Sequence, residues 1–170
     1  MTNVIVKDIS VEETKTYVAC ILNEMWHSRL PQIHYSNVAR NKHSVCYVFK
    51  YRQAIIGVGI WSSPVARYFD RTKYLELRRL ALCELCPKNT ATFVLSKMRS
   101  LVKSKFPNIK KLVSYQDTEV HLGTIYKADN WKDMVETSGG EWTSTKRFRE
   151  NAQSSAKKIR WEYSICKNDS

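Results

Sequence analysis

Long apolar runs are missing from this 170-residue sequence, and so is an apolar leader at its start. No stretch approaches the roughly 18 consecutive apolar residues that a membrane-spanning helix needs, and the first 30 residues lack the apolar core of a signal peptide. Glycine and proline are scarce, with five and four residues, as is usual for a globular chain without low-complexity tracts. These absences predict a cytoplasmic protein with no membrane partner. No linker or repeat is visible, so we expect residues 1–170 to form a single domain.

The cysteines provide no disulfide framework. Their number is odd, at five, and they are spread along the chain, a usage typical of a reducing compartment. Cys83 and Cys86 form one Cys-x-x-Cys pair, but a structural zinc site needs four ligands. The other three cysteines are scattered singly, so the pattern argues against a structural zinc site.

Acidic residues are also scarce: 16 Asp and Glu stand against 28 Lys and Arg, which gives a formal net charge of +12. An excess of this size is typical of proteins that bind a polyanion, most often nucleic acid. The basic C-terminal segment 144–170 is predicted to complete the central sheet and to supply phosphate contacts. The candidate nucleic-acid-binding residues are Arg147, Arg149, Lys157, Lys158 and Arg160. A basic surface with no dedicated partner is the simpler alternative.

Hydrophobic periodicity predicts a series of helices and strands. Helical spacing marks three segments, at about residues 11–25, 89–105 and 121–128. Strand-like patterns mark six more, at about residues 45–51, 54–61, 74–82, 110–116, 131–136 and 159–165. The third strand, the second helix and the fourth strand form a βαβ unit. This order predicts an α/β (α+β) fold whose mixed, mostly antiparallel central sheet is flanked by helices.

Three local patterns refine this prediction. Ser10-x-x-Glu13 is a capping-box pattern, which places the start of the first helix near residue 11. Alternation along the third strand places Leu75 and Ala81 on the same face. Asn89 is a favourable N-cap residue for the second helix.

The segment Ser114–Trp131 collects polar groups just past the end of a strand. It places an acid (Asp117), a histidine (His121) and a tyrosine (Tyr126) within ten residues. Polar groups in this position are where α/β folds usually hold ligands and catalytic side chains. We therefore predict the candidate site here. The alternatives are that Asp117 only caps a helix and that Tyr126 only fills the core.

Motifs along the chain indicate a family. They are His34-Tyr35-Ser36, Leu75-Glu76-Leu77-Arg78-Arg79-Leu80, Asn89-x-x-Thr92 and Tyr115-x-Asp117-x-x-x-His121-x-Gly123-Thr124-Ile125-Tyr126-x-Ala128-x-Asn130-Trp131. Together they resemble the phage Mom DNA-modification proteins, a divergent branch of the GNAT acyltransferase superfamily. The resemblance covers about residues 26–149, and its last block is the most specific because such a run is improbable by chance. It implies a GNAT-like sheet in which one pair of neighbouring parallel strands splays apart.

The resemblance also implies a function. Mom proteins convert adenine in duplex DNA into an N6-carbamoylmethyl derivative, which shields phage DNA from restriction nucleases. It implies double-stranded DNA as partner, acetyl-CoA or a related acyl donor, and the host cell cytoplasm if the protein is phage-encoded. The catalytic residues that it implies are Asp117, Tyr126, His34 and Tyr35. The donor-binding residues that it implies are Leu80, Asn89, Thr92 and one of the two adjacent arginines, Arg78 or Arg79.

Each implied catalytic residue has an expected role. Asp117 would hold or deprotonate the adenine N6 amine, and Tyr126 would protonate the leaving group. Tyr35 would stack on an extruded base, and His34 would relay a proton. If the iron proposed for the family is present, His34, Asp117 and His121 would supply two histidines and one carboxylate.

The sequence departs from the usual GNAT pattern at the pyrophosphate-binding loop. That loop normally reads Arg/Gln-x-x-Gly-x-Gly/Ala, but residues 83–92 contain no glycine. Backbone N–H groups at the start of the helix after Asn89 would still offer a phosphate site. The departure leaves an ordinary CoA thioester less firmly implied than in other GNAT proteins.

Two other function classes stay open. One is an N-acetyltransferase that acts on a protein or small-molecule amine, for which the basic excess would be incidental. The other is a DNA-binding protein that has kept the fold and lost the chemistry.

Overall fold

The computed structural model describes residues 6–26, 38–39, 41, 43–118, 122–137 and 157–166, with the backbone alone for 134–137. These residues form seven strands and three α-helices after a short 3₁₀ turn at Val6–Asp8. The elements are β1 (Ser10–Thr14), α1 (Thr16–Trp26), β2 (Ser44–Tyr51), β3 (Ala54–Ser62), β4 (Tyr74–Leu82), α2 (Thr90–Lys105), β5 (Lys111–Asp117), α3 (Thr124–Ala128), β6 (Lys132–Thr137) and β7 (Lys158–Ser164). Within these ranges, no helix combines the length and apolar character needed to cross a membrane.

The strands form one sheet in the order β1-β2-β3-β4-β5-β7-β6. β4 and β5 are parallel, and each other pair of neighbours is antiparallel. The mixed, mostly antiparallel sheet and its flanking helices confirm the predicted fold class. The last strand in sequence, β7, lies between β5 and β6.

Two apolar clusters cover the two faces of the sheet. On the face that we call the α2 face, Val94, Leu95 and Met98 of α2 pack against sheet residues such as Leu75 and Leu112. On the opposite face, the α1 face, Ala19 of α1 packs against residues of β2, β3 and β4. The result is a three-layer arrangement in which each face of the sheet buries apolar side chains under a helix.

The first helix begins later than the capping-box pattern predicts. Ser10–Thr14 is a strand, β1, which pairs with β2 along its whole length, and α1 starts at Thr16. The Ser10 hydroxyl donates to the Glu12 carboxylate (3.3 Å), and Glu12 in turn pairs with Lys50 of β2. The capping-box prediction is therefore wrong, because pairing with β2 outweighs a local helix-start pattern.

A bulge in β4 changes which face its side chains occupy. β3 pairs with Leu77 and then with Arg79, so Arg78 is the extra residue. An extra residue shifts the alternation of side chains beyond it. Leu75 accordingly packs in the α2-face cluster and Ala81 in the α1-face cluster. The prediction that Leu75 and Ala81 share a face is wrong for this reason.

The start of α2 is where the sequence predicts it, but Asn89 does not cap it with its side chain. Asn89 has a left-handed backbone (φ 71°), and its side chain makes no capping hydrogen bond. Its carbonyl accepts the Phe93 N–H (3.0 Å), and the Thr90 hydroxyl donates to the Pro87 carbonyl (2.8 Å). The first turn of α2 is thus fixed mainly by the backbone of the preceding loop.

A partly buried ion pair links α2 to the segment after α3. Arg99 donates to both carboxylate oxygens of Asp129, from Nε at 2.6 Å and from Nη2 at 2.7 Å. Trp131 donates its indole N–H to the same carboxylate (2.8 Å). Asp129 is 5% exposed. A carboxylate with three donors in this position holds α2, α3 and the start of β6 together.

We expect Asp129→Ala to lower the free energy of unfolding by roughly 2–3 kcal/mol, because Arg99 and the Trp131 indole lose a charged acceptor at a largely buried site. Asp129→Asn keeps one acceptor oxygen and should lose less. Glu13→Ala, which removes the exposed ion pair with Lys105, is the matched control and should change stability little. Urea unfolding checks all three. Equal loss in Asp129→Ala and Glu13→Ala would contradict the structural role of Asp129.

Candidate active site

The parallel strands β4 and β5 separate part-way along their length. Four residue pairs are in register, from Tyr74↔Lys111 to Leu77↔Ser114. β4 then continues to Leu82 and β5 to Asp117 without further pairing between them in the described residues. The opening lies at the carboxyl ends of the two parallel strands, which is where ligands bind in open α/β sheets.

The hydroxyl of Tyr126 lies at the point where these strands separate. It is 2.8 Å from the hydroxyl of Ser114, which belongs to the last registered pair. The Ser114 hydroxyl is also 3.4 Å from the Leu77 carbonyl across the strand pair. Tyr126 from α3 therefore reaches the base of the opening from the α2 face.

Close aromatic packing holds the Tyr126 ring in place. The ring stacks on Trp161 of β7 (centroids 5.5 Å apart, planes at 16°) and meets the edge of Trp131 at the same distance. Gly123, just before α3, has a positive φ of 70°, and a Cβ there would be 2.9 Å from the Trp161 ring. Glycine is needed at this position for both its backbone conformation and its size.

Burial raises the pKa of Tyr126, and the hydrogen bond with Ser114 partly offsets this rise. The side chain is 8% exposed, so the phenolate form would be poorly solvated. The hydroxyl therefore keeps its proton at neutral pH and is suited to donate it to a nearby group that gains negative charge.

Asp117 lies on the other face of the sheet. β5 has no bulge between Ser114 and Asp117, so the side chains of these two residues point to opposite faces. Gln116 is on the Tyr126 side, where it accepts the Trp161 indole N–H (2.8 Å). Asp117 pairs in register with Lys158 of β7 at the end of the strand. Asp117 and Tyr126 thus flank the end of β5 from its two sides.

Buried polar groups near this opening on the α1 face were not assigned to the site from the sequence. Glu76 of β4 is 6% exposed, and burial raises its pKa although Arg78 opposes the rise. Its carboxylate accepts the Val65 N–H (3.0 Å) and lies 3.6 Å from Arg78 Nε. The one sequence signal for this polar interior is an acid, Glu76, placed between two apolar residues, Leu75 and Leu77.

The Tyr115 hydroxyl is 3.4 Å from that of Tyr68, in the β3–β4 connection. Burial, and next the hydrogen bond with Tyr68, raise the pKa of Tyr115. Arg160 of β7 donates to the Tyr68 hydroxyl (3.2 Å) and is 3.3 Å from the Glu162 carboxylate. The Arg160 guanidinium is therefore engaged within the protein, unlike a freely extended phosphate contact.

The candidate donor-binding residues divide between the two faces. Arg78 donates to the Ser62 hydroxyl (3.2 Å), and Arg79, whose pKa is lowered first by burial and then by Arg78, follows the bulge toward the α1 face. Leu80 packs against the α2-face cluster. Asn89 and Thr92 lie at the start of α2. The structure does not bring the two arginines together with the start of α2.

Several predicted site residues lie outside the described residues. These are His34, Tyr35, His121, Arg147 and Arg149. Two of the three candidate iron ligands are among them, and the described part of the chain contains no group of three His, Cys, Asp or Glu residues that could hold a metal. We therefore assign no step to iron. Lys157 and Lys158 are described, at the start of β7, where Lys157 is exposed and Lys158 half-buried.

The Mom protein family matches residues 15–168 of this sequence. The chain belongs to the Mom family. No individually curated protein is detectably similar to it in sequence. The family match extends from α1 through β7 and so includes the whole opening between β4 and β5.

Solved structures with the same fold are GNAT acetyltransferases. A GNAT acetyltransferase from Elizabethkingia anophelis with acetyl-CoA bound is 14% identical, with a TM-score of 0.61, covering 92% of this chain and 98% of that one. The ribosomal-protein-S18-alanine N-acetyltransferase from Escherichia coli is 7% identical (TM-score 0.66, 95% and 98% covered). A spermidine N-acetyltransferase mutant from Vibrio cholerae is 9% identical (TM-score 0.67, 94% and 95% covered). At these identities the likeness shows that the Mom-family chain has the GNAT fold.

We expect the free energy of unfolding to fall less steeply with rising alkaline pH in Tyr126→Phe than in the wild type. The pKa of Tyr126 is raised on folding, so its stabilising contribution is complete below the unfolded-state value of about 10 and is lost as pH rises above it. Without the hydroxyl, the slope of unfolding free energy against pH should be smaller in magnitude by up to roughly 1.4 kcal/mol per pH unit. Urea unfolding between neutral and alkaline pH measures it, with Tyr17→Phe, an exposed tyrosine, as the control. A Tyr126→Phe slope equal to the wild-type slope would rule out the raised pKa.

Proposed function

We propose that this protein modifies the N6 amine of adenine in DNA, in the manner of N6-carbamoylmethylation, and thereby protects phage DNA from restriction. The observation that supports this most directly is the Mom-family match over residues 15–168. The GNAT fold and the placement of a neutral tyrosine at the opening between β4 and β5 are compatible with group transfer to an amine. The net charge of +12 suits a DNA substrate.

The proposed donor is acetyl-CoA or a related acyl-CoA. Structures with this fold have been solved with acetyl-CoA bound and, from Bacillus subtilis, with CoA bound. In this protein the start of α2, after Asn89, offers backbone N–H groups for the donor phosphates. The reactive end would extend into the opening, where Tyr126 gives its proton to the leaving thiolate.

The proposed acceptor enters from the α1 face, on the side of Asp117. The N6 amine of a stacked adenine cannot reach a protein pocket, so the base would be extruded from the duplex. Asp117 would hold the exocyclic amine and take its proton as the new bond to nitrogen forms. Arg147, Arg149, Lys157 and Lys158 are proposed as phosphate contacts. Arg160, the fifth candidate, is proposed to contribute by holding the Tyr68 hydroxyl.

Two reactions at this site, acetylation and carbamoylmethylation of N6, would give different products. Attack of N6 on the carbonyl of an acetyl thioester would leave an N6-acetyl group. A carbamoylmethyl product instead has a methylene carbon bonded to N6 and an additional amide nitrogen. It requires a related donor whose methylene carbon bears the leaving group and whose carbonyl carries that nitrogen, so that N6 bonds to the methylene as the leaving group departs. Both products raise the mass of the adenine nucleoside by different amounts, and one measurement therefore identifies which is formed.

We expect DNA from cells that express this protein to contain an adenine nucleoside of raised mass. Mass spectrometry of enzymatically digested DNA is the measurement, with cells that carry an empty vector as the control. Unmodified nucleosides in the presence of folded protein would contradict the proposal. If polyamines or protein amines were acetylated instead, the protein would be an amine acetyltransferase.

We expect Tyr126→Phe and Asp117→Asn each to lower formation of the modified nucleoside by about 100-fold or more, the usual contribution of a general acid or base. DNA affinity should not fall below the wild-type level in either variant, since neither change removes a positive charge. The matched controls are Tyr17→Phe and Asp8→Asn, which make the same chemical changes at exposed positions. Full activity in both site variants would show that the catalytic assignment is wrong.

A further inference from the structure

The β3–β4 connection, residues 63–73, folds over the β5–β7 half of the α1 face. Its Tyr68 hydroxyl is 3.4 Å from the Tyr115 hydroxyl of β5 and accepts a hydrogen bond from Arg160 of β7 (3.2 Å). Tyr115 and Asp117 are two residues apart on β5, so their side chains share this face. The connection therefore places Tyr68 beside the strand end that carries Asp117.

The Tyr68 ring is exposed to solvent, yet its contacts with neighbouring side chains fix its orientation. It is 68% exposed, although its hydroxyl is bound at one edge and its ring lies 4.5 Å from that of Phe69. Phe69 is buried and packs on Tyr74 (4.7 Å), and Arg160 lies 5.4 Å from the Phe69 ring. A large aromatic ring that is already fixed loses little conformational entropy when another flat group covers it.

Positive charge is concentrated in the connection that carries the ring. Arg67, Arg71 and Lys73 are exposed in the same connection. The single acid of the connection, Asp70, accepts hydrogen bonds from the Thr72 backbone and hydroxyl and lies 3.7 Å from Lys73. An exposed aromatic ring within a basic surface matches what a nucleic acid presents: a flat base attached to a charged backbone.

We propose that this surface, comprising Arg67, Tyr68, Arg71, Lys73 and Arg160 and called the Tyr68 surface, binds the DNA strand next to the extruded adenine. Tyr68 stacks on the extruded adenine, and the exposed arginines and lysine contact the phosphates on either side. Arg160 positions the Tyr68 ring through its hydrogen bond. The proposal rests on the proposed function in that DNA is the substrate, and it adds where on the protein the strand lies.

Equilibrium binding without donor tests the stacking. The probes are two fluorescein-labelled duplexes, one fully paired and one with a central adenine opposite an abasic site, whose base is readily exposed. Tyr68→Leu should weaken binding of the abasic duplex by about 5- to 100-fold, with a smaller effect on the paired duplex. Tyr68→Phe keeps the ring and should lose far less. Tyr17→Leu changes an exposed tyrosine on α1 and should bind like the wild type.

Salt dependence tests the phosphate contacts. The double variant Arg71→Ala/Lys73→Ala should reduce the slope of log affinity against log salt concentration by about 0.7–0.9 for each lost contact. Lys97→Ala/Lys103→Ala removes two exposed charges from α2, on the other side of the sheet, and should leave the slope unchanged. An equal change of slope in the two double variants would overturn the proposal that the phosphate contacts lie on the Tyr68 surface.

The results of these experiments test the proposed function and the Tyr68 surface independently. Tyr68-dependent DNA binding by a protein that leaves adenine unmodified would support the surface and overturn the function. Modified DNA together with wild-type binding by Tyr68→Leu would overturn the surface alone, as would equal losses in Tyr68→Leu and Tyr68→Phe. Failure of the wild-type protein to bind either duplex would overturn both, and an acidic protein partner would then be the better match for the charge.

Discussion

The parting of β4 and β5 after Leu77 and Ser114 is the constraint on which the rest of the site depends. Two parallel strands that stop pairing leave an opening within a sheet that carries a helix on each face. The Ser114–Tyr126 hydrogen bond lies at the start of that opening. It places the tyrosine hydroxyl at the last registered pair of β4 and β5, where the opening begins.

The bulge at Arg78 changes which face of the sheet the later side chains of β4 occupy. Before it, Leu75 and Leu77 pack under α2, while Glu76 lies in the polar interior of the α1 face. Beyond it, the α1 face receives Arg79 and Ala81. One extra residue is thus sufficient to turn the second arginine away from the face on which α2 begins.

Sequence patterns predicted the elements whose apolar spacing is regular. β2, β3, β4 and α2 begin and end within one or two residues of their predicted positions, because each buries a clear apolar face. The capping pattern at Ser10 mispredicts β1 as the start of a helix, because that pattern is local whereas β1 pairs with residues that are distant in sequence, Lys50 and Cys46. The Arg78 bulge has no sequence signature in side-chain type. Tyr126 could be singled out from its motif, but its contact with Ser114 depends on how α3 folds back over β5.

The order of strands in the sheet has a consequence for the order of assembly. α3 has five residues, too few to be stable as an isolated helix, so Tyr126 takes its position from its neighbours. One of those neighbours is Trp161, in β7, which follows β6 in sequence yet lies between β5 and β6 in the sheet. During translation β6 therefore cannot join the sheet until β7 has been synthesised. The Tyr126 ring likewise reaches its final position only after Trp161 has left the ribosome.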